Sequence, residues 1–208
     1  MSKTVSRTER RRRESRGKIV RAAYKVFSKK GLFRATLGEI SEEADVGKGT
    51  IYYHFPTKRE LITYLMRTAI KDLLTYCKER MAKIEDPSER VRKLTTAHFA
   101  FFNRRRALFS LLFFVRGALQ QNLEKSYVRK MQSDYQEYIS FLAENLDYGI
   151  QRGAFRALNT MNQAYVLEGM ITGFIFQWII NKRKGTFMDK AEPLIETFLH
   201  GVRSNENK

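Results

Sequence analysis

Apolar residues recur at intervals of three and four along nearly the whole chain, the spacing that places them on one face of an α-helix. The first stripe comprises Ile19, Ala22, Ala23, Val26 and Phe27. The same spacing predicts about nine helices, at residues 15–30, 36–44, 48–55, 58–83, 86–102, 104–115, 123–152, 159–182 and 187–202. No segment alternates apolar and polar residues between turn signals, so we expect an all-α fold.

Several helix boundaries follow one another closely near the N-terminus. Thr36 and Glu39 have the spacing of a capping box, which opens a helix. Residues 45–47 then interrupt the helical pattern, and Pro56 ends the next short helix. Two short helices joined by a tight turn and packed on a preceding helix form a helix-turn-helix, a unit that reads DNA.

The second short helix has the composition of a DNA-reading surface. Ile51 and Phe55 are four residues apart and face the core together. The outer surface then carries donors and flat rings, which are Lys48, Thr50, Tyr52, Tyr53 and His54. Such groups bond to phosphates and base edges, and Gly47 and Gly49 permit close approach of the backbone. The alternative is a packed junction with the tyrosines and His54 buried against the next helix.

The net positive charge of the chain makes nucleic acid the first candidate partner. The 208 residues include 39 Lys and Arg against 22 Asp and Glu, a formal net charge of +17. Such a balance favours a polyanion, DNA first and an anionic membrane surface second, although a basic surface also serves solubility alone. Residues 1–14 are expected to be a flexible basic arm that lies in a minor groove or along the DNA backbone, or is only a solubilising tail.

Cysteine content and hydropathy bear on the compartment. Cys77 is the single cysteine, so we expect no internal disulfide, no multi-cysteine metal site and a reducing, cytoplasmic location. No apolar segment follows the basic N-terminus, so a secretory signal is not expected. The most apolar stretch, residues 161–180, is interrupted by Asn162, Gln163, Glu168 and Gln177 and is predicted to be a buried helix, not a membrane span.

A family signature occupies residues 36–61. It reads Thr-Leu-Gly-Glu-Ile at 36–40 and Ala-Asp-Val-Gly-Lys-Gly-Thr-Ile-Tyr-Tyr-His-Phe-Pro-Thr-Lys-Arg-Glu-Leu at 44–61. Together with the preceding helix, over about residues 15–65, it resembles the DNA-binding region of the TetR family of transcriptional regulators. The turn Gln-Arg-Gly-Ala-Phe at 151–155 is a further, more general similarity.

The resemblance implies an all-helical, two-domain homodimer that binds double-stranded DNA, usually represses transcription and is released by a small ligand. It implies a helix-turn-helix domain at residues 15–57 and an effector-binding and dimerisation domain at 58–208. The implied DNA-contacting residues are Thr36, Lys48, Gly49, Thr50, Tyr52, Tyr53, His54 and Lys58. Lys48 is a base-reading position, while Thr36 and Lys58 match phosphate-anchoring positions. Thr36 also caps its helix, and a packing role is the alternative for His54.

The larger domain is expected to form a dimer. Residues 161–180 are apolar nearly all round, so one face meets its own domain and another a partner chain, unless the helix is wholly internal. The resemblance favours a four-helix interface made with the last helix and the twofold mates. The expected interface residues are Tyr165, Gly169, Gly173, Phe176, Ile180, Ile195, Phe198 and Leu199.

Aromatic residues cluster in the same domain, as plain core or as a pocket lining. The resemblance places an effector pocket among the middle helices, and an aromatic lining suits a hydrophobic or amphipathic small molecule such as a fatty acyl chain. The expected lining is Phe102, Phe109, Phe113, Arg116, Tyr138, Phe141, Phe174 and Trp178. His98 and His200 are predicted to be structural.

Other functional classes have less support. The sequence contains no G-x-S-x-G, no H-E-x-x-H, no phosphate-binding glycine loop and no Cys/His cluster, so we expect no enzyme, no cofactor and no metal site. A ligand-independent architectural DNA-binding protein is the main alternative, and it would lack a pocket. A membrane-surface protein is disfavoured because the aromatic residues fit a buried helical bundle.

Overall fold

The computed structural model describes residues 6–105, 125–181 and 188–203, which are mostly helical. The helices are α1 (Arg7–Arg34), α2 (Leu37–Glu43), α3 (Lys48–His54), α4 (Lys58–Met81), α5 (Pro87–Arg104), α6 (Lys125–Gln151), α7 (Thr160–Ile180) and α8 (Ala191–Val202), with a 3₁₀ turn at Met188–Lys190. Within these ranges there is no strand beyond an isolated bridge between Phe155 and Arg203. The all-α prediction is confirmed, and most of the helix expected at 104–115 lies outside the described residues.

The first helix begins eight residues earlier than predicted, at Arg7 instead of Ser15. Ser6 caps it by accepting a hydrogen bond from the Glu9 N–H at 3.2 Å. Ion pairs one turn apart, Arg10 with Glu14 and Arg13 with Glu9, reduce the repulsion among the arginines. Residues 7–14 are therefore helical, and the expectation of an arm without structure is wrong for this part of it.

The other helix boundaries follow local signals in the sequence. Gly31 interrupts α1 with a φ of 75°, a conformation that glycine adopts without strain. Asp86 caps α5 through the Glu89 N–H at 2.6 Å, and the Asn159 side chain accepts from the Asn162 N–H at 2.9 Å at the start of α7. These starts agree with the prediction.

The chain divides into two compact units. Residues 6–68 fall in the first unit, and residues 69–105, 129–181 and 188–203 fall in the second. The division lies within α4, after the boundary expected at residue 57. The start of α4 contributes to the first unit, since the Tyr64 ring packs on Phe55 at 5.4 Å between centroids and lies beneath the Arg16 guanidinium.

The second unit is a helical bundle that includes α5, α7 and α8. The inward stripe of α7 comprises Ala164, Leu167, Ile171 and Ile175. On α5, Arg92 forms ion pairs with Glu192 and Glu196 of α8, which join these two helices. None of the described helices has both the length and the hydropathy needed to cross a membrane.

Candidate DNA-binding interface

The first three helices and the start of α4 share one apolar core. Its fully buried side chains are Ile19, Ala23, Ile40, Ile51, Leu61 and Leu65. Ile51 and Phe55 fix α3 against this core, as their spacing predicts. The two residues set the rotation of α3 about its axis and thereby decide which side chains face outward.

The turn before α3 is compact and hydrogen-bonded. Asp45 has a φ of 51°, the left-handed conformation that Asp tolerates better than most side chains. The Val46 N–H donates to the Ser41 carbonyl at 3.1 Å, and the Ser41 hydroxyl donates to the Gly38 carbonyl at 2.7 Å. This turn holds α2 and α3 in the relative orientation of a helix-turn-helix.

The outward face of α3 presents donors and rings to solvent. Lys48 and Gly49 are exposed, and Thr50 is half-buried. Tyr52 is 50% exposed and Tyr53 is 68% exposed, so the packed-junction alternative does not hold for either tyrosine. Large exposed rings with hydroxyl donors beside a lysine suit contacts with phosphates, sugars and base edges.

His54 differs from its neighbours because it is half-buried against α1. Its Nε2 lies 2.7 Å from the Ser15 Oγ, whose hydroxyl is also 3.1 Å from the Arg12 carbonyl. Burial lowers the pKa of His54, and the nearby Arg16 and Arg12 charges lower it further. His54 therefore joins α3 to α1 as a neutral imidazole, while part of its ring lines a cleft beside Tyr53.

The two expected phosphate-anchoring residues have different surroundings. Thr36 and Glu39 form the complete capping box, with each side chain accepting from the other residue's backbone N–H, and Thr36 remains exposed. Lys58 is instead committed to the fold: its ammonium donates to the carbonyls of Leu32, Phe33 and Ala35 at 2.9–3.0 Å. All three of its donors are used, so the structure corrects the expectation that Lys58 anchors a phosphate.

Sequence reasoning missed the part that residues before Ser15 play in this surface. Arg11, Arg12 and Ser15 of α1 line one cleft with Gly49, Thr50, Tyr53 and His54 of α3. The Arg12 guanidinium lies 5.6 Å from the centre of the Tyr53 ring, within cation–π range. The signal that could have found this continuation of α1 is Ser6 followed three residues later by Glu9, a helix-start pattern.

The described residues that were expected to line an effector pocket do not lie around one cavity. Phe102 and Tyr138 are buried in the core of the second unit, and Phe141 is half-buried with the Lys78 ammonium 5.6 Å from its ring centre. Phe174 and Trp178 line a surface groove instead. Phe109, Phe113 and Arg116 lie outside the described residues.

A buried polar group accompanies Tyr138 in this core. The Tyr138 hydroxyl is hydrogen-bonded to His98, and the Cys77 sulfur lies 3.9 Å from Nδ1 of the same imidazole. Burial lowers the pKa of His98 to about 4 and raises that of Cys77 to about 12. All three groups are therefore neutral near pH 7. Within the described ranges, no group of three or more His, Cys, Asp or Glu side chains could hold a metal ion.

The outer face of α7 carries four of the eight expected dimer residues, which are Tyr165, Gly169, Gly173 and Phe176. A groove of about 490 Å³ is lined by Gly169, Gly173 and Phe176 together with Phe174 and Trp178. Tyr165 is also exposed, and the side chain of Ile180 lies outside those described.

The three residues of α8 that were expected at the dimer interface are buried within their own chain. Ile195, Phe198 and Leu199 are at most 3% exposed, so they pack α8 into the core of its own chain. The structure therefore corrects their assignment to an interface between chains. The exposed residues of α8 include Pro193, Thr197 and His200.

Comparison with known proteins agrees with this geometry. The sequence model of the family described as "Bacterial regulatory proteins, tetR family" matches residues 19–65, which run from within α1 through α2 and α3 to the start of α4. The uncharacterized HTH-type transcriptional regulator YhgD of Bacillus subtilis is 27% identical over 172 residues, 77% of this chain and 82% of that protein. The probable acrEF/envCD operon repressor of Escherichia coli is 24% identical over 211 residues, 98% of this chain and 93% of that one.

A solved structure extends the likeness to the fold of nearly the whole chain. The transcriptional regulator FadR of Bacillus subtilis, in complex with stearoyl-CoA, superposes with a TM-score of 0.76 at 20% identity, covering 90% of this chain and 99% of that one. The sequence match, the relatives and the shared fold all point to a helix-turn-helix transcriptional regulator. The helix-turn-helix region of the chain, residues 19–65, is that of the TetR family of transcriptional regulators, which are DNA-binding proteins and not enzymes.

Proposed function

We propose that this regulator acts in the cytoplasm as a homodimer, binds an inverted-repeat operator, represses transcription and is released by a hydrophobic or amphipathic small molecule. The observation that carries the proposal is the outward face of α3. There Lys48, Tyr52 and Tyr53 are exposed while Ile51 and Phe55 are buried. A helix held so firmly and presenting donors outward is suited to a major groove.

The outer face of α7 supports the dimer. Tyr165, Val166 and Phe174 are 43%, 48% and 39% exposed, and Gly169 and Gly173 open the groove between them. Covering such a face stabilises an assembly by roughly 25 cal/mol for each Å² of apolar surface removed from water. A second copy of α7 crossing at the two glycines would cover it, and the resulting twofold dimer would contain two copies of α3.

Sedimentation of Gly173→Leu tests the dimer. We expect the wild-type chain to sediment at 10 μM as twice its 24.5 kDa mass, and Gly173→Leu as a monomer because the larger side chain blocks close approach. Glu144→Leu is the matched control, since it adds the same side chain at an exposed position of α6 and should leave the dimer intact. A monomeric wild type, or an unaffected Gly173→Leu, would remove this part of the proposal.

The second unit supports the effector class. Its core contains aromatic side chains, including Phe102 and Tyr138, together with the neutral Cys77–His98–Tyr138 group. A cavity that opens in such an interior would suit a ligand with a long hydrocarbon part and a polar head. The bound stearoyl-CoA of the Bacillus subtilis FadR, which shares this fold, is a ligand of that kind.

DNA selection combined with ligand titration tests the whole proposal. The full chain first selects duplexes from a random pool, and inverted repeats are expected. A fluorescein-labelled selected duplex is then titrated with stearoyl-CoA, with palmitate and, as a control, with free coenzyme A. We expect stearoyl-CoA and palmitate to raise the melting temperature of the protein. They should also lower the anisotropy of the labelled duplex by releasing it, and coenzyme A should do neither. DNA binding that none of these compounds changes would favour the ligand-independent architectural alternative.

A further inference from the structure

Six arginines and two glutamates occupy residues 7–16, so this stretch of α1 has a net charge of +4. Arginines that pair with a glutamate lie on one face of this helix, and arginines without such a pair lie on another. Arg10 and Arg13 are paired with Glu14 and Glu9 at 3.5 and 3.6 Å. Arg11 and Arg12 have no carboxylate within ion-pair distance among the described residues, and both line the cleft against α3.

Helical periodicity explains why the unpaired arginines face α3. Ser15 is one turn beyond both Arg11 and Arg12, and Ile19, one turn further, is fully buried in the core. Arg11 and Arg12 therefore continue the face by which α1 packs on the helix-turn-helix. Arg12 and Arg16 are also a like-charge pair one turn apart, an arrangement that costs stability until an anion approaches.

The Ser15–His54 hydrogen bond fixes this part of α1 to α3. The Ser15 hydroxyl has a single proton and two neighbours, the Arg12 carbonyl and the His54 Nε2. Both are satisfied when Ser15 donates to the carbonyl and the neutral His54 donates from Nε2 to the Ser15 Oγ. The Arg12 guanidinium over the Tyr53 ring is a second contact between the same two helices.

We propose that the N-terminal turns of α1 and the outward face of α3 form one cradle for the DNA backbone, in which Arg11 and Arg12 bind phosphates beside Tyr53 and Thr50. Ser15 is a positioning residue, which holds these arginines at the cradle through His54. The cleft is open to solvent, and the two arginines that line it have the charge that complements a phosphate. The inference rests on the proposed reading of DNA by α3 and extends the contacted backbone beyond the helix-turn-helix itself.

Two double variants of the full chain, with equal loss of charge, test the cradle. Arg11→Ala/Arg12→Ala removes the cleft-facing arginines, and Arg10→Ala/Arg13→Ala removes the paired ones from the same helix. The probes are a fluorescein-labelled 30-base-pair duplex of random sequence and a duplex of equal length selected from a pool by the wild type. Dissociation constants are measured by anisotropy across a series of salt concentrations.

We expect Arg11→Ala/Arg12→Ala to weaken binding to both duplexes roughly tenfold or more and to reduce the salt slope by about 1–2, since each phosphate contact contributes about 0.9 to that slope. Arg10→Ala/Arg13→Ala should change affinity less than about threefold. Equal losses of affinity in both variants would contradict the cradle and would indicate that the charge of the helix acts without regard to position. No loss of affinity in either variant would mean that these turns do not contact DNA. If no sequence is selected, operator reading fails, while the random duplex still tests the cradle.

Ser15→Ala tests the positioning role, and circular dichroism checks that the helix remains folded. We expect a several-fold loss of affinity and a smaller salt slope in the wild-type background, with no further loss in the Arg11→Ala/Arg12→Ala background. Ser15→Thr keeps the hydroxyl and should restore both values. A loss of the same size in the two backgrounds would show that Ser15 acts independently of the arginines.

Discussion

The imidazole of His98 accepts a hydrogen bond from the Tyr138 hydroxyl in the core of the second unit. The other ring nitrogen, Nδ1, lies 3.0 Å from the Leu94 carbonyl and must carry the proton of that contact. Nε2 is then the acceptor for Tyr138, and the ring is neutral. The two hydrogen bonds define one tautomer, and burial disfavours the charged form.

This arrangement predicts that the chain loses stability in mild acid. Burial lowers the pKa of folded His98 from 6.5 to about 4. Below pH 6.5 the unfolded chain therefore takes up a proton that the folded chain does not. The free energy of unfolding should fall by about 2 kcal/mol between pH 7.5 and pH 5 through this residue, and the loss should end near pH 4.

Urea unfolding at fixed protein concentration measures the effect of His98. His98→Gln should be less stable at pH 7.5 but should show a flatter pH dependence over this range. His200→Gln, at an exposed histidine of α8, is the control and should keep the slope of the wild type. A His98→Gln variant with the full slope would mean that another group titrates.

Lys58 should matter for folding and not for DNA. Lys58→Met keeps the length of the side chain but leaves the carbonyls of Leu32, Phe33 and Ala35 without their donor. We expect a loss of about 1–3 kcal/mol in the free energy of unfolding. The exposed neighbour Arg59, changed to Met, should lose far less. A drop of about 1 in the salt slope of DNA binding by folded Lys58→Met would instead indicate a phosphate contact.

Because Gly149 lies in close contact with Phe155, substitution of this glycine should destabilise the fold. A Cβ at Gly149 would overlap the Phe155 ring, which is buried next to it. Gly149→Ala is expected to cost about 1–3 kcal/mol or more through overpacking. Gly201→Ala is the matched control, because it lies in a helix with open space around it and should be neutral or slightly stabilising. Thermal unfolding compares the two variants, and equal melting temperatures would contradict the contact.

Local signals in the sequence were enough to predict the helix-turn-helix. The Thr36–Glu39 capping box and the four-residue spacing of Ile51 and Phe55 depend on contacts within one or two turns. The start of α1 was missed because the arginine run suggested repulsion. The Ser6 cap and the Glu9–Arg13 and Glu14–Arg10 pairs counter that repulsion.

Longer-range packing could not be predicted from periodicity alone. Phe198 and Leu199 have the spacing of an apolar face, but only the fold shows that this face meets its own core. Lys58 lies in a family signature, yet its charge satisfies carbonyls that are 23–26 residues away in sequence. The Ser15–His54 contact spans 39 residues and has no local signature.

Parallel selections by the wild type and Lys48→Ala test most directly whether α3 reads DNA sequence. Lys48 is exposed at the first turn of α3 and plays no part in the core, so the variant should fold normally. We predict that both proteins select inverted repeats of the same spacing, but that Lys48→Ala loses its base preference at one or two positions of each half-site. The same preference at every position in both selections would contradict the assignment of Lys48 as a base-reading residue.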